Sequence, residues 1–177
     1  MYLQGDFGED PSKVNMYAAS TFYAVDRFAS YHNNWHDIYK KRGNIILADR
    51  YTTSNMIHQA SKIDDRNKKE EYLKWLWDME YKKFKLPVPD LVIFLDMPPE
   101  YSIELIEKRG KQDIHEKDLN YLKKTYKNSL EIARRYSWNI VSCVKSSGMG
   151  NSIKSIDEIH QEIYKLVKES FKFKRSE

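Results

Sequence analysis

Cysteine is nearly absent from these 177 residues: Cys143 stands alone, which excludes an internal disulfide and fits a reducing compartment. It reads as a small core residue on a strand. No apolar run approaches the roughly 20 residues needed to cross a bilayer, and the first residues lack the basic-then-apolar pattern of a secretory signal. These absences predict a cytoplasmic protein with no membrane partner. An excess of one charge is also missing. Thirty Lys and Arg face 26 Asp and Glu, and the resulting +4 argues against a nucleic-acid partner. The Lys-rich stretch at residues 165–175 reads as a solvated helix face and frayed tail.

What remains is an ordinary globular composition, 41% hydrophobic and 32% charged, without repeats or low-complexity tracts. The length suits one domain with a real core and is tight for two, so a single domain over residues 1–177 is expected.

The hydrophobic pattern alternates between two periods. Asp10-Pro11 is a good helix start, and Val14, Tyr17, Ala18, Phe22, Val25, Phe28 and Ala29 follow at helical spacing. The helix approaches His32-Asn33-Asn34, restarts through Trp35, Ile38 and Tyr39, and stops at Gly43-Asn44. Residues 45–48 are apolar without alternation, as in a strand buried on both faces of a parallel sheet. Helical patterns then cover residues 54–63 and 67–84, and Pro87-Val88-Pro89-Asp90 leads into a β-rich run at 91–95. Pro98-Pro99 opens another helix, a further one spans about 116–136, residues 139–143 read as a strand, 145–152 as a Ser/Gly-rich loop, and 155–173 as an amphipathic helix. Alternating helices and strands predict an α/β layered fold with a parallel sheet.

In open α/β sheets ligands gather beyond the C-terminal strand ends, which draws attention to Asp49-Arg50 directly after the run at 45–48. A carboxylate there can organise a metal ion or a sugar hydroxyl, and a guanidinium offers a rigid fork for phosphate oxygens. A local ion pair capping the sheet accounts for the same two residues equally well.

A wider view separates the alternatives. Asp49-Arg50-Tyr51-Thr52-Thr53-Ser54-Asn55-Met56-Ile57-His58-Gln59 resembles the D-R-Y-x-x-S-x-x-x-x-Q segment of thymidylate kinases, which phosphorylate dTMP to dTDP with ATP and magnesium. Leu86-Pro87-Val88-Pro89-Asp90-Leu91 is similar to the family's L-P-x-P-D-L strand entry, Asp113-Ile114-His115-Glu116-Lys117-Asp118 to its D-x-x-E-x-D, and Tyr23-Ala24-Val25-Asp26-Arg27 to its aromatic-x-x-x-Arg. The four segments occur in family order.

The resemblance implies a three-layer P-loop kinase-like parallel sheet flanked by helices, and a set of roles. Tyr23 and Arg27, one helical turn apart, would stack on thymine and donate to a pyrimidine carbonyl, although an aromatic in an apolar helix stripe is also an ordinary core residue. Arg50 would hold the dTMP phosphate, with Asp49 beside it towards magnesium or the sugar. Ser54, Asn55 and Gln59 would read the base edge, Ser54 serving equally as a helix-start hydroxyl. His58 stands where some members place a Tyr against the ribose 2′ position. Residues 109–116 would form a short lid, with Arg109 and Lys111 bringing positive charge to the transferring phosphoryl group. Asp113 and Glu116 would assist nucleotide or metal binding, or simply favour a helix N-terminus through its dipole. Mg2+ with ATP as phosphoryl donor, the nucleotides dTMP and ATP as partners, and homodimerisation are likewise expectations carried by the family.

One family element is missing from the string. The phosphate loop G-x-x-x-x-G-K-[ST], whose amides and lysine cradle ATP phosphates, does not occur; at Gly110-Lys111, Leu105 stands where the first glycine belongs and Gln112 where Ser or Thr should follow. The resemblance places that strand, loop and helix before Met1. It also puts the strand centrally in the sheet, between those matching residues 45–48 and 91–95, and two rows of backbone groups would lack partners without it.

Overall fold

Asn15 opens the first described helix by accepting the Tyr17 and Ala18 amides on its side-chain oxygen, at 2.9 and 3.2 Å. The structure, a computed structural model, describes residues 14–110, 119–148 and 150–174. The predicted start at Asp10-Pro11 lies outside them. Two units divide the chain: Met1–Val88 with Asp113–Ser129, and Pro89–Gln112 with Leu130–Glu177.

The first unit is helical. Helix α1 (Met16–Ser30) runs without a stop through a wide π turn (Tyr31–Trp35) into α2 (His36–Lys40), so the expected break at His32-Asn33-Asn34 is a widening of one helix. Next come α3 (Thr52–His58), a 3-10 turn (Ala60–Lys62), and α4 (Arg66–Trp77), the last capped by the Asp65 carboxylate on the Lys68 amide. A second π turn (Asp78–Lys83) extends α4.

Ala19 and Ala24 of α1, Met56 of α3, and Tyr72, Leu73 and Leu76 of α4 form the core with Ile63 and Leu86. The start of α6 (Leu119–Arg135) packs here too and closes the end of α3. Asn128 Nδ2 donates to the Met56 and Ile57 carbonyls at 3.1 and 2.7 Å, and Tyr121 Oη donates to that of His58 at 3.3 Å. These are the acceptors a helix C-terminus leaves without intrahelical partners.

Residues 45–48 are not a strand. No described strand pairs with them, Ile45 is exposed, and Leu47 is 90% exposed. An apolar run becomes a buried strand only where a neighbour supplies a ladder, and none of the described residues does so here.

The second unit holds the sheet structure. Strands β1 (Ile93–Asp96) and β2 (Asn139–Ser142) pair in parallel, with Ile93 opposite Asn139 and Asp96 opposite Ser142. Between them in sequence lie α5 (Pro99–Arg109) and α6. Pro99 sits at the first helical position of α5, and Gly110 closes that helix with φ of 74°, a conformation glycine adopts without steric cost.

Residues 145–152, read as a loop, instead belong to an antiparallel hairpin of β3 (Val144–Ser147) and β4 (Gly150–Ile153). The polar serines disguised it, because a hairpin exposed on both faces shows no hydrophobic alternation. Cys143 is buried one residue past β2, and burial raises its thiol pKa. Helix α7 (Ile156–Lys174) begins with a reciprocal cap: the Ser155 hydroxyl accepts from the Glu158 amide at 3.1 Å, and the Glu158 carboxylate accepts from the Ser155 amide at 2.7 Å.

Candidate functional site

Buried faces of water-soluble helices are normally apolar, but that of α3 is not. Thr52, Asn55, Met56 and Gln59 recur at helical spacing and all four are buried, so three polar side chains occupy positions where burial is costly without partners. Thr52 and Asn55 share a partner, Glu80, fully buried in the π turn at Asp78–Lys83.

Glu80 collects donors from three directions. Arg27 on α1 donates Nε to Oε2 at 2.7 Å and Nη2 to Oε1 at 2.6 Å, a bidentate fork. Thr52 Oγ1 donates to Oε2 at 2.7 Å, and Asn55 Nδ2 reaches Oε1 at 3.4 Å while also facing the Ser20 carbonyl at 3.4 Å. Ser20 Oγ and Tyr72 Oη lie 2.7 Å apart in the layer beneath, and Tyr72 Oη donates to the Asn55 carbonyl at 3.4 Å. Burial raises the hydroxyl pKa of Tyr72 and pushes that of Tyr81 up to about 12; a hydrogen bond with Thr52 opposes the rise at Tyr81, and the charge of Glu80 adds to it. Tyr51, raised chiefly by burial, donates its hydroxyl to the Pro87 carbonyl at 3.0 Å and so ties the start of α3 to residues 84–88.

The expected site residues fall into distinct places. Arg27 and Asn55 are drawn together on the same Glu80 oxygen. Gln59, one turn beyond Asn55, is 1% exposed, and its Oε1 has no hydrogen-bond partner among the described residues. Ser54 and His58 lie half-buried on α3, and Tyr23 lies half-buried one turn before Arg27 on α1. Asp49 and Arg50 are exposed in the segment leading into α3, and Arg50 has φ of 67°, a left-handed backbone uncommon outside glycine and clustered at ligand sites. Ser54 is not the α3 cap: Tyr51 holds that position, and the Ser54 amide donates to the Tyr51 carbonyl at 2.9 Å.

Arg109 is the last residue of α5, in the second unit. Lys111, Asp113 and Glu116, with most of the expected lid, lie outside the described residues. No group of three His, Cys, Asp or Glu side chains able to hold a metal occurs among the described residues. A single exposed carboxylate such as Asp49 nevertheless fits Mg2+, which keeps several waters and completes its shell with substrate phosphates.

Glu80 had not been singled out from the sequence. Its signal was a carboxylate in register with Leu73 and Leu76, on the stripe that the helical pattern of residues 67–84 assigns to the core.

Helices and a parallel strand pair make the described residues a helix-rich α/β protein, as the P-loop kinase class is. Within that class the chain belongs to the thymidylate kinase family, whose model matches residues 8–163. Curated relatives agree. A protein named "Probable thymidylate kinase" from Pyrococcus abyssi is 28% identical over 159 residues, covering 90% of this chain and 68% of that protein. Counterparts of the same name from Sulfolobus acidocaldarius and Thermococcus onnurineus are 32% and 30% identical, covering 82% and 89% of this chain and 63% and 68% of theirs. The chain thus spans about two thirds of the length of these relatives. The family is one of nucleoside monophosphate kinases that use ATP as phosphoryl donor, generally with Mg2+. No described helix is long and apolar enough to cross a membrane.

Proposed function

We propose that these 177 residues carry the dTMP site of a thymidylate kinase and act in the ATP-dependent phosphorylation of dTMP to dTDP. The observation that carries this reading is the convergence of Arg27 and Asn55 on one buried carboxylate, beside a helix preceded by Asp49-Arg50. Tyr23 offers a π-face one turn from Arg27. Arg27, Asn55 and Gln59 offer hydrogen-bonding groups to the base, with Ser54 and His58 at its periphery. By family resemblance Arg50 would hold the substrate phosphate, Arg109 and Lys111 would bring positive charge to the transferring group, and Asp113 would assist the nucleotide. Asp49, with Glu116, would hold Mg2+, which when bound supplies charge neutralisation to the phosphate oxygens.

Arg50 would act as a positioning fork, since phosphoryl transfer depends on alignment and charge more than on covalent help. The sequence contains no phosphate loop, so the ATP cradle is not among these residues. A second reading is that these residues by themselves bind dTMP without turnover. Calorimetric titration with dTMP, alongside an ATP-coupled dTDP assay, separates the two. Saturable dTMP binding lost about tenfold or more in Arg50→Ala supports the site; turnover selects the enzyme, and binding without turnover selects the second reading. No binding to dTMP sinks both.

A further inference from the structure

Arg27 has two hydrogen-bonding edges, and Glu80 occupies the one formed by Nε and Nη2. No described residue accepts a hydrogen bond from Nη1. Asn55 is constrained in a complementary way. Two acceptors, Glu80 Oε1 and the Ser20 carbonyl, face its amide end, so the nitrogen must point at them, and Oδ1 is left facing elsewhere. Each contact is long at 3.4 Å, but both have the same polarity, and reversing the amide would set an oxygen against two oxygens.

We propose that Glu80 is a specificity-determining positioning residue: it forces Arg27 and Asn55 to present a donor and an acceptor together. That pattern complements a carbonyl next to a ring N–H, the imide edge of thymine or uracil. It opposes an amino group next to an unprotonated ring nitrogen, the corresponding edge of cytosine. Because Glu80 is acceptor-only on both oxygens, it imposes this polarity without contacting the base. A glutamine in its place has one acceptor and one donor group, so it cannot accept from Arg27, Thr52 and Asn55 in the same way, and the Asn55 amide becomes free to reverse. The assignment rests on the thymidylate reading.

Direct binding of dTMP, dUMP and dCMP to the full chain, for the unmodified protein, Glu80→Gln and Glu80→Asp, tests it. The unmodified chain should prefer dTMP and dUMP over dCMP by about 100-fold or more, because a mismatched edge leaves buried polar groups unpaired. Glu80→Gln should lower that preference about tenfold, through weaker dTMP binding and stronger dCMP binding, with Glu80→Asp in between. An equal loss for all three nucleotides is what a merely structural role produces, and it overturns the assignment while leaving the thymidylate reading intact. An unmodified chain that binds none of the three overturns both. If Glu80→Gln does not fold, Glu80→Asp is decisive: its carboxylate, one methylene shorter, cannot hold Arg27 and still reach Asn55, already at 3.4 Å, so a lowered preference supports the proposal and an unchanged preference overturns it.

Discussion

At the scale of single residues, the Arg27–Glu80 pair is stabilising only as a whole. Burying two charges costs several kcal/mol per ion, and the pair recovers this through short bidentate geometry and the added donors Thr52 and Asn55. Arg27→Ala, which leaves the buried carboxylate with neutral donors only, should cost about 3–5 kcal/mol in denaturant unfolding, while an Arg27→Met, Glu80→Leu double change should cost less. The tyrosines nearby set a second expectation. Burial raises the pKa of Tyr51 and Tyr72, and takes Tyr81 to about 12, from the ordinary value of 10.0. A raised folded-state value favours the folded form below pH 10, and that advantage is lost as pH climbs through 10 and beyond. Phenolate absorbance should therefore show these three hydroxyls titrating together with unfolding, above the pH at which exposed tyrosines ionise.

At the scale of elements, caps and pairing partners decide what forms. Ser155→Ala should cost about 1 kcal/mol by removing half of the reciprocal cap on α7. Glu158, hydrogen-bonded by Lys145 and by the Ser155 amide, is pulled down to about 2 from 4.5. A depressed carboxylate contributes above its unfolded value and ceases to as pH falls through the folded one, so helicity should decline between about pH 4.5 and 2. Circular dichroism across that window should show the decline flattened in Glu158→Gln.

Most helices were legible in the sequence because each buries a stripe at its own period, as α1 does through Ala24 and α4 through Leu73 and Leu76. The β1–β2 pair was legible from its short runs of β-branched and apolar residues, Ile93 to Leu95 and Ile140-Val141. The β3–β4 hairpin was not, since its strands carry Lys145, Ser146, Asn151 and Ser152 and no core face. Residues 45–48 failed for the opposite reason: the pattern of a buried strand is present, and a neighbour is not. Of the candidate site, Arg27, Asn55 and Gln59 are the residues that motif spacing singles out and that the structure finds half-buried or buried. Glu80 was hidden inside a helix whose pattern announced only a core.

At the scale of the whole molecule, the chain passes between its two units at residues 88–89, 112–113 and 129–130, the last crossing lying inside α6. Neither unit is therefore a single stretch of sequence, and no one cut yields either alone. The exposed run at 45–48 affects behaviour in solution. Leu47, 90% exposed in an apolar segment, is an unprotected site for self-association, and Leu47→Lys should raise the concentration at which light scattering detects aggregates while leaving unfolding within about 0.5 kcal/mol.

The left-handed backbone at Arg50 sets stability against recognition at one position. A side chain in that conformation costs about 1–2 kcal/mol, whereas glycine avoids this at an entropic cost of about 0.5–1. Arg50→Gly should thus be more stable than Arg50→Ala in thermal melts by up to about 1 kcal/mol, although both delete the same guanidinium fork. Selection for robustness alone would drift towards glycine here. On the proposed reading Arg50 meets the substrate phosphate, and a library sorted first for stability and then for dTMP binding should return opposite answers at residue 50.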